Sequence, residues 1–380
     1  MKKLIIIFII LTSVIIVKAE EIVPNASCAI LIEPTTNTII YEKNIHDRVS
    51  IASLTKMMGL ILIFEKIDDG SIKYTDKVIA SANASGMGGS QIWLETGEEM
   101  SVEDLLKGII MASGNDAIIA MAEYIAGSES EFVRLMNDKA KELGLKNTNF
   151  VNASGLDEEG HYSSAYDLSI IATELMKHSD VFKFTTIYED YLRKNTDNKF
   201  WLVNTNKLIK TYKGADGLKT GMTDKAGYSM AVTAKRNGMR LLAIVLGEKE
   251  GKVRNKETEK LLDYGFNQYE MLKIKEKGEV LEEIGIDKAN PNKITVTLDK
   301  DILVLQKRND SKKEYTSEIK IDNLKLPLKK GDIVGKLLVK DGTNTIKQVN
   351  LISNENIEKE SFFKLWFNII KNVLTGNLVN

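Results

Sequence analysis

Residues Tyr228–Leu246 read YSMAVTAKRNGMRLLAIVL, two apolar runs (Tyr228–Lys235 and Arg240–Leu246) joined by Arg236-Asn237-Gly238. An Asn-Gly pair between runs rich in β-formers is a hairpin signal, because both residues accept the positive φ that a tight turn requires. With Gly217–Thr220 as a third strand, this stretch predicts an antiparallel sheet. Upstream the spacing changes to three and four, the period of helices. Met57, Leu60, Ile61 and Phe64 mark a helix over Ser53–Lys66, with Ser53 in its first turn. Leu105, Leu106, Ile109 and Ile110 mark a second, opened by Ser101-Val102-Glu103-Asp104 and stopping near Ser113-Gly114-Asn115. A third begins at Asp116, a fourth runs from Phe132 to Leu143 and closes at Gly144, and a fifth spans Asp167–Lys177. Ala29–Ile40 reads as two strands about the turn Glu33–Asn37, Ala80–Gly97 as loop, and Glu257–Tyr269 as a helix packed back on the sheet. The first unit is therefore a helical cluster plus an antiparallel sheet drawn from both ends of its sequence.

From about Lys273 the pattern is short alternating runs, Val280, Ile284, Ile286, Ile294, Val296, Leu298 and onward, broken by Asp, Asn, Gly and Lys. This predicts a small all-β sandwich over 273–354. The tail, 355–380, is apolar at Phe362, Phe363, Leu365, Trp366, Phe367, Ile369 and Ile370, with Lys364, Asn368, Lys371 and Thr375 on one narrow stripe at helical spacing. An aromatic amphipathic helix with lysines suits a membrane interface; the alternative is a helix docked on the protein's own sheet. The start reads as an export signal over 1–19: Lys2 and Lys3, an apolar run Leu4–Val17, then Val17-Lys18-Ala19 as a cleavage site. The alternative is an uncleaved anchor. The catalytic unit is expected over 20–272.

The chain's 380 residues exceed one ordinary domain. Hydrophobic residues at 43% against 28% charged describe a globular protein. Loss of 1–19 removes three lysines and no acid, leaving 49 basic against 53 acidic residues, a net −4 that speaks against nucleic-acid binding. Three histidines (His46, His161, His178) and a single cysteine, Cys28, form no cluster of metal-ligand spacing, and Cys28 reads as a small buried residue. No glycine-rich phosphate loop is present. No metal and no cofactor are expected.

Three short motifs carry chemistry. In Ser53-Leu54-Thr55-Lys56, a spacing of three puts hydroxyl and amine on one helix face. Serine needs a base to become a nucleophile, and lysine serves when burial or nearby positive charge lowers its pKa. Ser113-Gly114-Asn115 sits in a break between helices, where a hydroxyl can relay a proton and an amide can hold a carbonyl. Lys219-Thr220-Gly221 ends a strand, where lysine offers a point charge for a carboxylate and glycine admits a substrate backbone. Each alone is ordinary. In this order they match the Ser-x-x-Lys, Ser-Asp-Asn, Lys-Thr-Gly set of penicillin-recognising enzymes, with Gly114 in place of Asp.

The surroundings narrow the match. Ala52-Ser53-Leu54-Thr55-Lys56-Met57-Met58, Ser113-Gly114-Asn115-Asp116-Ala117, Asn152-Ala153-Ser154-Gly155-Leu156 and Asp216-Gly217-Leu218-Lys219-Thr220-Gly221-Met222-Thr223 resemble the low-molecular-mass penicillin-binding proteins, the D-alanyl-D-alanine carboxypeptidases. The implied fold is an α/β (α+β) β-lactamase/transpeptidase-like domain, followed by the all-β domain and the amphipathic helix. The implied substrate is the peptidoglycan stem peptide ending in D-Ala-D-Ala, with β-lactams as covalent inhibitors. The resemblance implies Ser53 as nucleophile, Lys56 as its base and Ser113 as proton relay. It implies Asn115 on the peptide side, Lys219 and Thr220 at the terminal carboxylate, and the N–H groups of Ser53 and Met222 as oxyanion hole. A β-lactamase would instead need a deacylating glutamate, for which Glu158, Glu159 and Glu174 stand in range; a silent wall-binding protein would carry a damaged motif; a transpeptidase would replace water by an amine. Asp157-Glu158-Glu159 reads as a solvated loop.

Overall fold

Every residue of strand β1 (Cys28–Glu33) is buried. Cys28, Ile30 and Ile32 enter one apolar core, and Ala29 and Leu31 enter another on the opposite face. An extended chain alternates its side chains, so a sheet covered on both faces needs an unbroken apolar run. The same division occurs in the hairpin quoted above. The structure, a computed structural model, describes residues 21–310 and 314–360, with Trp366 and Ile370 of the tail. The predicted leader lies outside the described residues, as does most of the predicted tail helix.

Strand β2 (Thr38–Lys43) pairs with β1, and β3 (Ala215–Thr223), β4 (Gly227–Arg236) and β5 (Met239–Glu248) complete an antiparallel sheet in the order β2-β1-β5-β4-β3. Arg236 pairs with Met239, and the intervening Asn237 and Gly238 have φ of 48° and 81°, as the hairpin reading required. Strand β3 is the edge. Its first half is capped by side chains: the Thr185 hydroxyl donates to the Asp216 carbonyl (2.5 Å) and the Asn206 amide to the Gly217 carbonyl (3.2 Å). Its second half, from Lys219, runs beside the turn that carries Ser53.

One face of the sheet is covered by α1 (Lys56–Asp68), α2 (Val102–Lys107), α3 (Asn115–Ala126), α4 (Glu129–Glu142) and α5 (Ala165–Leu175). The other is covered by α6 (Gly251–Gln268) through Leu261, Leu262 and Phe266. The stretch Ala80–Gly97 is mostly loop, as expected, but holds one short helix, Ala82–Ser85, whose Ser81 hydroxyl accepts from the Ala84 N–H.

Beyond α6, strands β6 (Val280–Gly285), β7 (Lys293–Leu298), β8 (Tyr315–Ile321), β9 (Ile333–Asp341) and β10 (Asn344–Ser353) form a second antiparallel sheet, ordered β6-β7-β10-β9-β8. Two ribbons, Tyr269–Lys275 with Ile302–Lys307 and Ala289–Asn290 with Glu358–Lys359, close around the same core. Among the described residues no helix is long and apolar enough to cross a membrane.

Leu261 is fully buried where α6 meets the sheet. Leu261→Ala is expected to lower the stability of folding by about 2–5 kcal/mol, read from denaturant unfolding, while exposed Lys260→Ala changes it by less than about 0.5 kcal/mol.

Candidate active site

Ser53 does not begin an α-helix. It lies in a 3-10 turn, Ala52–Thr55, that leads into α1 at Lys56. In a 3-10 turn residues i and i+3 eclipse, which brings serine and lysine closer than α geometry does. The turn is entered through Ala52 at φ +47°, a left-handed conformation that a side chain rarely adopts. Two glycines surround it. At Gly155 (φ +84°) a Cβ would stand 2.0 Å from the Ala52 carbonyl oxygen. At Gly221 a Cβ would stand 3.1 Å from the Ser53 nitrogen. Both neighbours are backbone, so at Gly155 the close approach exists only with glycine, and at Gly221 a Cβ would require the turn to give by a few tenths of an ångström.

Lys56 is fully buried. Its Nζ lies 2.9 Å from Ser53 Oγ, 2.6 Å from Asn115 Oδ1 and 2.6 Å from the Ser154 carbonyl oxygen. Burial, and then the charge of Lys219, hold its pKa well below the usual lysine value, against a smaller opposing pull from Asp116. A neutral amine has two N–H donors and one lone pair. With Asn115 Oδ1 and the Ser154 carbonyl taking the donors, the lone pair faces the Ser53 hydroxyl.

Helix α2 widens into a π-turn, Gly108–Ala112, and stops at Ser113, itself left-handed at φ +63°. Such turns interrupt helices at functional positions. Helix α3 then starts at Asn115, one residue before the position expected. The Asn115 side chain spans the site, donating from Nδ2 to the Gly88 carbonyl (2.7 Å) while Oδ1 accepts from Lys56. Buried Asp116 turns the other way and accepts from the N–H groups of Ile92 and Leu94 at 3.0–3.1 Å. The loop over Ser90 is thereby fixed to the start of α3.

Lys219 is also buried. Its Nζ donates to Ser113 Oγ (2.8 Å) and the Thr220 carbonyl (2.9 Å). Thr220 Oγ1 donates to Thr205 Oγ1 at 2.7 Å. Burial first, then the charge of Arg254, push Lys219 down to about 7. Arg254, on α6, is buried, donating to the Asn255 side-chain amide oxygen and the Ser229 carbonyl, and burial pushes it down to about 10. Sequence reasoning missed Arg254, since one arginine in a lysine-rich helix carries no local signal. The Met222 side chain is exposed. Ser53, Gly89, Ser90, Asn115, Leu156 and Met222 line one cleft of about 280 Å³.

Sequence reasoning also missed His161. Val151 N–H donates to its Nδ1 (3.2 Å), so Nε2 carries the proton and donates to Thr55 Oγ1 (2.7 Å). Thr55 Oγ1 in turn donates to the Ala52 carbonyl (2.8 Å). The chain His161–Thr55–Ala52 holds the strained entry to the Ser53 turn. Asp157 does more than the solvated loop predicted for it: it accepts from Ser50 Oγ (2.7 Å) and Thr223 Oγ1 (2.9 Å), joining the loop to the end of β3. Glu158 and Glu159 are exposed, and Glu174 pairs with Lys177 on α5's outer side. None of the three lines the Ser53 cleft. Among the described residues no group of His, Cys, Asp or Glu could hold a metal ion.

Comparison with known proteins gives one answer. The family model for D-alanyl-D-alanine carboxypeptidase matches residues 15–250, and that for the penicillin-binding protein 5 C-terminal domain matches 269–359. The chain is 47% identical over 346 residues to the D-alanyl-D-alanine carboxypeptidase DacF of Bacillus subtilis (strain 168), covering 91% of this chain and 89% of that one. It resembles the crystal structure of penicillin-binding protein 5 from Haemophilus influenzae with a TM-score of 0.72 and 31% identity, over 88% of this chain and 98% of that one. It resembles penicillin-binding protein D2 of Listeria monocytogenes in its ampicillin-bound form with a TM-score of 0.58 and 33% identity, over 64% of this chain and 98% of that one.

Burial pushes His161 from 6.5 down to about 4. Between those values the unfolded chain holds a proton that the folded protein does not, so stability falls as pH falls from about 6.5 toward 4. The loss attributable to this group is on the order of 3 kcal/mol. His161→Gln is expected to flatten that part of the stability profile, measured by denaturant midpoints across the window. An unaltered slope would assign the loss to other groups.

Proposed function

The chain belongs to the D-alanyl-D-alanine carboxypeptidase family, and from its site we propose that Ser53 is the nucleophile and Lys56 the base that activates it. The observation that carries this is the buried Lys56 amine, whose two N–H groups are committed elsewhere while Ser53 Oγ lies 2.9 Å away. Lys56 takes the hydroxyl proton as Ser53 Oγ bonds to the carbonyl carbon between the two terminal D-alanines. The N–H groups of Ser53 and Met222 receive the oxyanion, because the 3-10 turn and the end of β3 converge at Gly221. Ser113, bonded to Lys219, gives its hydroxyl proton to the departing amine and regains one from Lys56, and D-alanine leaves as the acyl–serine ester forms. Water then adds to the ester, and the shortened stem is released.

The leaving residue carries a carboxylate, and the site supplies positive charge for it in Lys219 and Arg254 and a hydrogen-bonding hydroxyl in Thr220. An anion bound there stabilises the protonated form of Lys219, restoring the charge that burial opposes. The peptide side lies along the second half of β3, as an added strand held in place by Asn115. The β-lactam ring presents the same carbonyl and carboxylate, so penicillin acylates Ser53 and leaves slowly. The positions of Glu158, Glu159 and Glu174 away from the cleft speak against rapid β-lactamase turnover.

The unit over 20–272 carries this chemistry, and the β-rich unit over 273–354 separates it from the tail. Lys2, Lys3 and the apolar run after them support export across the membrane, and the aromatic, lysine-bearing segment 355–380 supports peripheral attachment there.

Fluorescent penicillin is expected to label the wild-type chain covalently and to leave Ser53→Ala unlabelled; labelling that persists assigns the nucleophile elsewhere. In Lys56→Ala, release of D-alanine from a pentapeptide is expected to fall by roughly 10²–10⁴-fold. Deletion after Glu355 is expected to move the protein from the membrane to the soluble fraction on cell fractionation. Unchanged membrane association would transfer the anchor to residues 1–19.

A further inference from the structure

Beside the Ser53 cleft lies a larger one of about 1000 Å³, with Trp93, Tyr191 and Phe200 among its lining residues. Trp93 is 68% exposed and left-handed at φ +60°. Nothing in core packing requires a tryptophan to stand in water. The fold nevertheless holds it there from both sides. On one side the Asp116 carboxylate accepts from the N–H groups of both flanking residues, Ile92 and Leu94. On the other, the Arg193 guanidinium donates to the Ile92 and Trp93 carbonyls at 3.1 Å while paired to Glu98. Arg193 is itself left-handed at φ +51°. Two strained residues locked by one guanidinium and one buried carboxylate form a built platform, and strain of this kind gathers at ligand sites.

The lining indicates the ligand. Four carboxylates and four cations line the cleft, and Lys107, Arg193 and Lys194 among the cations already have carboxylate partners. A surface so balanced does not attract a polyanion. The exposed indole of Trp93, with Tyr191 in the same cleft bearing the Lys199 ammonium on its ring at 4.0 Å, suits a neutral ligand with a flat apolar face and many hydrogen-bonding groups, which is the chemistry of a sugar ring. The position fits as well. Ser90 lines the Ser53 cleft, and three residues span at most roughly 10 Å, so Trp93 stands within that distance of it. An extended five-residue stem reaches roughly 17 Å back from its terminal D-alanine. The sugar that bears the stem therefore falls beyond the Ser53 cleft, on the scale of the distance to Trp93.

We propose that the cleft around Trp93 and Tyr191 is a subsite for the amino-sugar chain to which the stem peptide is attached, so that the protein reads its substrate at both ends. This rests on the carboxypeptidase reading of Ser53. The test compares kcat/KM for D-alanine release from a free pentapeptide with that from the same pentapeptide carried on its disaccharide. The wild-type chain is expected to prefer the sugar-bearing substrate by about tenfold, the scale of one well-packed aromatic contact. Trp93→Ala is expected to reduce the preference to near unity, and Trp93→Phe to retain most of it. Equal rates on the two substrates in the wild type, or a preference that Trp93→Ala leaves intact, overturn the subsite alone. Release from neither substrate overturns the reading of Ser53 on which it rests.

Discussion

The site is organised by one physical constraint: a lysine amine lies in the interior with a hydroxyl, an amide oxygen and a carbonyl as its hydrogen-bond partners. An ammonium ion stripped of water costs several kcal/mol unless a counter-charge repays it. Neutral ligands do not repay it, so burial lowers the Lys56 pKa and favours the neutral amine. The other groups around the site follow from that. Asn115 and the Ser154 carbonyl fix the direction of the lone pair. Lys219, a second buried amine, adds repulsion that reinforces the effect. Asp116, the nearby carboxylate that could undo it, spends its lone pairs on the N–H groups of Ile92, Leu94 and Ala117. A fold that moved Asp116 toward Lys56 would retain every motif in the sequence and raise the lysine's pKa again.

The motifs were legible because the chemistry restricts residue type at each position. A hydroxyl, an amine three residues on, a second hydroxyl with an amide, and a lysine before a glycine leave few substitutes. What was not legible is what shapes them. Ser53 was expected on an α-helix and stands on a 3-10 turn, because the turn is entered through Ala52 at positive φ, with Thr55 of the same turn bonded to the Ala52 carbonyl and Gly155 and Gly221, far away in sequence, packed against it. His161 reads in sequence as a histidine after an acidic run. Its role emerges only when the loop folds back and buries it against Thr55. Arg254 likewise becomes part of the site only when α6 crosses beneath β4.

At the level of fold, periodicity located the helices and the hairpin to within a few residues, since packing against a continuous core leaves its period in the sequence. It did not reveal that β1 and β5 are buried on both faces. An unbroken apolar run marks burial without saying how it is divided, and the division here depends on α6 covering the second face. The β-rich unit was legible as alternating runs, whereas its strand order, which closes β7 on β10 across the three strands between them in sequence, was not.

The capped edge of β3 has a bearing on solubility. An uncovered sheet edge is a template for any extended chain, another copy of the same protein included. Here Thr185 and Asn206 occupy the Asp216 and Gly217 carbonyls, and only the portion alongside the Ser53 turn remains to accept a strand. That portion is short and lies within a walled cleft. Side chains thus guard one end of β3, while β2 forms the sheet's other edge.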